Sequence, residues 1–126
     1  MFETEEQKER IILVAVATAD GDDAEQSLDE LEELGQTAGA VTVAKVIQNR
    51  EKVHAGTYVG KGKIEEIKNL AISLDADAVV CDDELSPAQY HNLQDALEIK
   101  VIDRTVMILD IFAKRASPAK PPGSRQ

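Results

Sequence analysis

The 126-residue sequence has no Trp, two Tyr, two Phe and one Cys. With aromatics at 3% of the chain, any core must be aliphatic, built from Val, Ile, Leu and Ala. A single Cys forms no internal disulfide, which excludes a disulfide-stapled secreted scaffold and suits a reducing cytoplasm. No uncharged apolar run approaches the ~18 residues that cross a bilayer, and the opening stretch Met1–Arg10 is too acidic for a signal sequence. Base is scarce at the start: residues 1–34 carry twelve acids against Lys8 and Arg10. That stretch accounts for the whole net charge of −10, because residues 35–126 hold twelve acids and twelve bases. The local sign reverses between Arg50 and Lys63, where Arg50, Lys52, Lys61 and Lys63 face only Glu51. The chain therefore has an acidic start and a basic middle loop.

What is present is enough for one domain, at 43% hydrophobic and 30% charged residues. Residues 1–9 read as an acidic tail, 10–116 as the folded domain and 117–126, rich in Pro, as a disordered tail. The run Ile11–Ala17 is β-branched and apolar throughout, which fits a strand buried on both faces, as in parallel sheets. Ala24, Leu28, Leu31, Leu34 and Ala38 recur at helical spacing, with Asp22 or Asp23 to cap the start and Gly39 to end it. Val41–Ile47 is a second strand. Residues 48–59 are irregular, with a short extended piece at Thr57–Val59. Ile64, Ile67, Ala71 and Leu74 mark a second helix, Ala78–Cys81 a third strand, and Ser86-Pro87-Ala88-Gln89 a capping box opening a third helix. Lys100–Asp103 and the stretch from Thr105 to about Ala116 complete the alternation. Four strands and four helices in turn predict an α/β fold: a four-stranded parallel sheet with helices on both faces, in the order 2-1-3-4.

Candidate chemistry is sparse. Gly60-Lys61-Gly62-Lys63 opens a helix, so backbone amides and two ammonium groups can face a phosphate. Ile64 follows in place of the Ser or Thr of a Walker A motif. Arg50, Lys52, Lys61 and Lys63, with Gly60 and Gly62 and with Tyr58 as a stacking ring, form the candidate RNA- or phosphate-binding patch. Asp82, Asp83 and Asp103 lie at strand ends and are weak candidates for Mg²⁺; the competing reading is that they serve the following helix N-termini. Neither His54 nor His91 has metal-ligand spacing, and Cys81 reads as a buried small side chain. No residue is a candidate for covalent catalysis. In the last helix only Asp110 breaks the run Val106–Ala113, so either the helix packs centrally or Met107, Ile108, Ile111 and Phe112 pack against a partner, a missing segment or a second copy.

Three stretches carry a resemblance when taken in order: Gly56–Glu66 (GTYVGKGKIEE), Asp82–Gln89 (DDELSPAQ), and Val101–Thr105 (VIDRT) running into Ile108–Ala113 (ILDIFA). Together with Leu28-Asp29-Glu30-Leu31 they are similar to the N-terminal domain of the HflX-type GTPases over about residues 10–116. The resemblance implies a parallel α/β domain followed, in the family, by a helical hairpin and a Ras-like G domain. It also implies cytoplasmic location, binding to the large ribosomal subunit through ribosomal RNA, and a link to adenine-nucleotide binding. The chain itself contains no Walker A, no Asp-x-x-Gly and no Asn-Lys-x-Asp motif, so no GTPase activity is expected of it alone; GTP belongs to the full-length family. Either a truncated or frame-shifted product or a free-standing relative fits this. The runner-up is a stand-alone ATP/Mg²⁺ sensor or enzyme, with Asp82, Asp83 and Asp103 on the metal and Lys61 or Lys63 on phosphate.

Overall fold

A computed structural model describes residues 8–17, 23–49 and 56–116, the side chains of 112–116 excepted. The sequence-predicted acidic and Pro-rich tails lie outside these residues, save for the stretch from Lys8 onward. The elements run β1 (Glu9–Ala17), α1 (Ala24–Thr37), β2 (Ala40–Asn49), α2 (Lys61–Leu74), β3 (Ala78–Cys81), α3 (Pro87–Leu97), β4 (Lys100–Asp103) and α4 (Arg104–Ala116). The sheet is parallel throughout and ordered β2-β1-β3-β4, as the alternation predicted.

β1 is central because its sequence is apolar on both faces: Ile11 to Val16 are all buried. Its side chains alternate between two cores. Ile12, Val14 and Val16 join Ile64, Ile67 and Ala71 of α2 and Leu93 and Leu97 of α3. Ile11, Leu13 and Ala15 join Leu28 and Leu31 of α1 and Met107 and Ile111 of α4. Each of the two buried leucines of α1 contributes about 1.5–3 kcal/mol by leaving water. β1 pairs with β2 over all nine of its residues but with β3 only from Ile11 to Val14. Ile11 opposes Thr42 and Ile12 opposes Ala44, so Val43 is the extra residue of a bulge.

The start of α3 and the end of α1 follow their sequence signals. Ser86 accepts from the Gln89 amide while the Gln89 side chain accepts from the Ser86 amide, the reciprocal capping box. α1 closes on Gly39 at φ 93°, a conformation that costs glycine little. Asp23 stands at the N-cap of α1 without a side-chain capping bond. The start of β1 is tied to the end of α2: the Arg10 guanidinium donates to the Leu74 carbonyl at 2.8 and 3.0 Å. Arg10 and Asp77 also exchange bonds, the Arg10 amide to the Asp77 carboxylate and the Asp77 amide to the Arg10 carbonyl. These satisfy an orphan helix carbonyl and fix the register of the β1–β3 junction.

Candidate functional site

The carboxyl ends of the strands and the amino ends of the helices share one end of the domain, the usual ligand end of a parallel α/β sheet. Its switch point lies between β1 and β3. That crevice is bolted shut from within. The Ser27 hydroxyl of α1 donates to Asp82 Oδ2 at 2.7 Å, and Arg104 of α4 donates to Asp82 Oδ1 at 2.9 Å and to Ser27 Oγ at 3.1 Å. Arg104 also reaches Glu30 at 3.4 Å. Asp82 is only 10% exposed, so its charge is held by an internal guanidinium. Ser27 was not singled out in the sequence, and Arg104 entered only as part of the VIDRT stretch, with no contact assigned to it. A lone Ser on a helix and an Arg after a strand carry no spacing signal for a contact between residues so far apart in the chain.

The other two metal candidates point elsewhere. Asp83 accepts from the Tyr58 phenol at 2.7 Å, on the α2–α3 side of the sheet. Asp103, 2% exposed, accepts from the amide of Leu85 with one oxygen and from that of Val106 with the other. Asp103 is thus the cap of α4 and the anchor of the β3–α3 turn, the helix-terminus role rather than the metal role. Among the described residues no three His, Cys, Asp or Glu side chains are grouped to hold a metal ion. The set Asp82, Asp83, Asp103 is corrected accordingly: three acids at strand ends, each spent on a different internal bond.

The segment before α2 is not extended, as Thr57–Val59 suggested, but sharply turned. Tyr58 has φ 71° and the Val59 amide donates back to the Thr57 carbonyl at 2.7 Å, which is a γ-turn of the strained hand. Side chains distant in sequence hold it on three sides: Asn92 donates to the Gly56 carbonyl, Gln48 accepts from the Gly60 amide, and Tyr58 reaches Asp83. Strain of this kind persists only where the surroundings over-determine it. Tyr58 is 1% exposed. Its ring is therefore a core side chain and cannot stack on a base, which corrects that part of the sequence reading. Burial, then the bond to Asp83, raises the phenol well above its ordinary range.

The turn delivers the start of α2 to the surface. Lys61 and Gly62 are exposed and Lys63 half-buried, with Lys63 Nζ 3.0 Å from Glu66. α2 begins at Gly60 without a side-chain cap and has no acid in its first turn. Arg50 and Lys52 lie outside the described residues. Beside the start of α1, a depression of about 420 Å³ is lined by Ala17, Asp23, Ala24, Glu25, Ile47 and Asn49. Its two acids and lack of base do not suit a phosphate. Cys81 is buried and unbridged, its thiol pushed up chiefly by burial and next by Asp103.

For Met107 and Ile111, α4 takes the central-packing alternative rather than the partner face. Met107 and Ile111 are buried against α1 and β1, Ile108 is half-buried, and the Phe112 side chain lies outside the described set. The exposed apolar residues are instead Val106 and Leu109, the latter 60% exposed. Among the described residues no helix is long and apolar enough to cross a membrane.

Fold and site together define a small parallel α/β domain without P-loop machinery, presenting a glycine- and lysine-bearing helix start at its strand-carboxyl end. The family model described as "GTP-binding GTPase N-terminal" matches residues 25–113, and the chain belongs to that family. It is 66% identical over 116 residues to the GTPase HflX of Lacrimispora saccharolytica, covering 92% of this chain and 27% of that protein. Against the GTPase HflX of Escherichia coli K12 identity is 39% over 116 residues, with the same coverages. The chain thus spans about a quarter of the curated relatives it matches. Among solved structures, the GTP-binding protein from Sulfolobus solfataricus in complex with GDP is similar in fold, with TM-score 0.59 and 19% identity, over 93% of this chain and 32% of that one.

Proposed function

We propose that this domain is the ribosome-facing part of an HflX-type GTPase, touching RNA phosphates of the large subunit with the start of α2. One observation carries the reading: the opening of α2 is locally inconsistent with a self-sufficient helix. Two lysines sit at the positive end of the dipole, each opposed by about 0.3–1 kcal/mol, and Gly62 gives up about 1 kcal/mol of helix propensity. Gly62 has no internal reason to be Gly, since a Cβ there would meet nothing within 4 Å. Lys63 recovers part of its cost through Glu66, but Lys61 and Gly62 gain no such contact among the described residues, and such local choices suit contact with an anion from outside, with the bare backbone allowing close approach. Arg50 and Lys52 belong to the same patch by sequence. The relatives are named as GTPases, and this chain, which spans about a quarter of them, carries no Walker A motif. ATP with Mg²⁺ is the weaker alternative, since the acids it needs are spent on internal bonds.

Co-sedimentation of the 126-residue chain with large ribosomal subunits over a salt series tests this. Comigration that weakens as salt rises is the expected result. Lys61→Glu with Lys63→Glu should weaken it more than Glu30→Lys with Glu33→Lys. Equal effects, or no comigration at low salt, overturn the assignment, and heat evolved with ATP and Mg²⁺ in calorimetry favours the sensor instead.

A further inference from the structure

Soluble proteins blunt the edges of their sheets with short strands, charges, Pro or bulges, because an open edge invites another strand. The edge formed by β4 follows that rule, being four residues long with Lys100 at its start. The opposite edge follows it less closely. β2 runs ten residues, Ala40–Asn49, with no Pro or Gly and with Lys45 as its single charge. Among the described residues it pairs with β1 alone. Its protective devices are the bulge at Val43 and the charge of Lys45, which is itself drawn onto the acids of α1; Ala44–Asn49 stay in unbroken register. Val41 is 39% exposed, and Thr42, Val43, Ala44, Ile47 and Gln48 are half-buried, whereas β1 beside it is sealed.

α1 packs along this edge and fixes the charge of what can lie there. Lys45 Nζ is 2.8 Å from Asp29 and 2.7 Å from Glu32, so those acids stand on the β2 side of the helix. Glu25, one turn before Asp29, lines the depression at the Asn49 end of the strand. α1 carries five acids, Glu25, Asp29, Glu30, Glu32 and Glu33, and no base. A second copy docked edge to edge in antiparallel sense brings two such helices side by side on one face, which like charge opposes.

We infer that the β2 edge is a docking site for an extended, Lys- or Arg-bearing segment of another protein, which adds a fifth strand and sets its basic side chains against Glu25, Asp29 and Glu32. Main-chain bonds supply affinity without regard to sequence, and the acids of α1 select for positive charge at alternate positions. This surface is separate from the RNA contact proposed for α2 and stands or falls independently of it.

Fluorescence anisotropy of a labelled nine-residue peptide of alternating Lys and Val, titrated with the 126-residue chain, tests the inference. Saturable binding is expected, at least tenfold weaker for the fully N-methylated peptide and for its Glu/Val counterpart, and at least threefold weaker for the Glu25→Gln/Glu32→Gln double variant. Amide exchange across Val41–Asn49 should slow when the peptide binds. No binding, equal binding of the N-methylated peptide, or unchanged exchange over β2 each overturns it. So does sedimentation showing a dimer whose formation protects β2, since the occupant is then a second copy.

Discussion

The phenol of Tyr58 donates to Asp83 across 2.7 Å and so joins the loop before α2 to the turn after β3. Two stretches that carry the family resemblance, one around Gly60–Lys63 and one at Asp82–Glu84, thereby form one structural unit. Asp83 is itself exposed, so losing the bond leaves no buried charge. Tyr58→Phe is expected to cost about 1 kcal/mol in urea unfolding. Tyr58→Ala, which also empties a filled core position, is expected to cost about 3–5 kcal/mol.

The same phenol predicts an alkaline limit to stability. Its folded pKa lies above the unfolded value of about 10, so the folded state holds the proton more tightly. The associated stability is fully present below about pH 10 and is lost as pH rises beyond it. Unfolding monitored by circular dichroism between pH 8 and 12 should show this limb, and Tyr58→Phe should flatten it. Tyr90, pushed up to about 12 mainly by burial, contributes in the same direction.

Arg104 and Asp82 are expected to be coupled. A double-mutant cycle with Arg104→Ala and Asp82→Ala should return about 1–2 kcal/mol, read by thermal or urea denaturation. Arg104→Lys should recover only part, because one ammonium cannot reproduce the fork that meets Ser27, Asp82 and Glu30.

Asp103→Ala removes the acceptor for two amides at once, those of Leu85 and Val106, and should destabilise by about 2–4 kcal/mol. Added Mg²⁺ should leave the wild-type melting temperature unchanged. A metal-dependent rise that the variant lacks is the opposite outcome and restores Asp103 as a ligand.

The two sides of α4 should respond differently. Met107→Ala is expected to cost about 2–5 kcal/mol as a core truncation. Leu109→Asp, on the exposed side, should stay within about 0.5 kcal/mol. Equal losses in urea unfolding of the 126-residue chain would place Leu109 in the core.

The layout of strands and helices was legible because it rests on short-range patterns. The unbroken apolar run of β1, the helical spacing of Leu28 and Leu31, and the Ser86 box each encode their element locally, and the alternation of elements leaves few topologies. The site was less legible because its bonds are long-range. Nothing in Thr57-Tyr58-Val59 announces a positive φ; the turn exists because Asn92, Gln48 and Asp83 hold it from three other elements. The acids at the strand ends looked alike in sequence and differ in the fold by what each one meets. In α4 a run apolar from Val106 to Ala113 save for Asp110 could not say which of its sides the domain itself would cover; Met107 and Ile111 are buried against α1 and β1, while Val106 and Leu109 are exposed.

The central place of β1 has a consequence for how the chain matures as it is synthesised. β1 emerges first, yet one of its two neighbours, β3, begins only at Ala78. Before α2 is made, β1, α1 and β2 can assemble only as a parallel pair with one helix on one side, leaving Ile12, Val14 and Val16 bare to water on the other. A nascent chain stopped ahead of α2 is therefore a half-roofed sheet, sticky on one side, and that side closes only as α2, β3 and α3 are added.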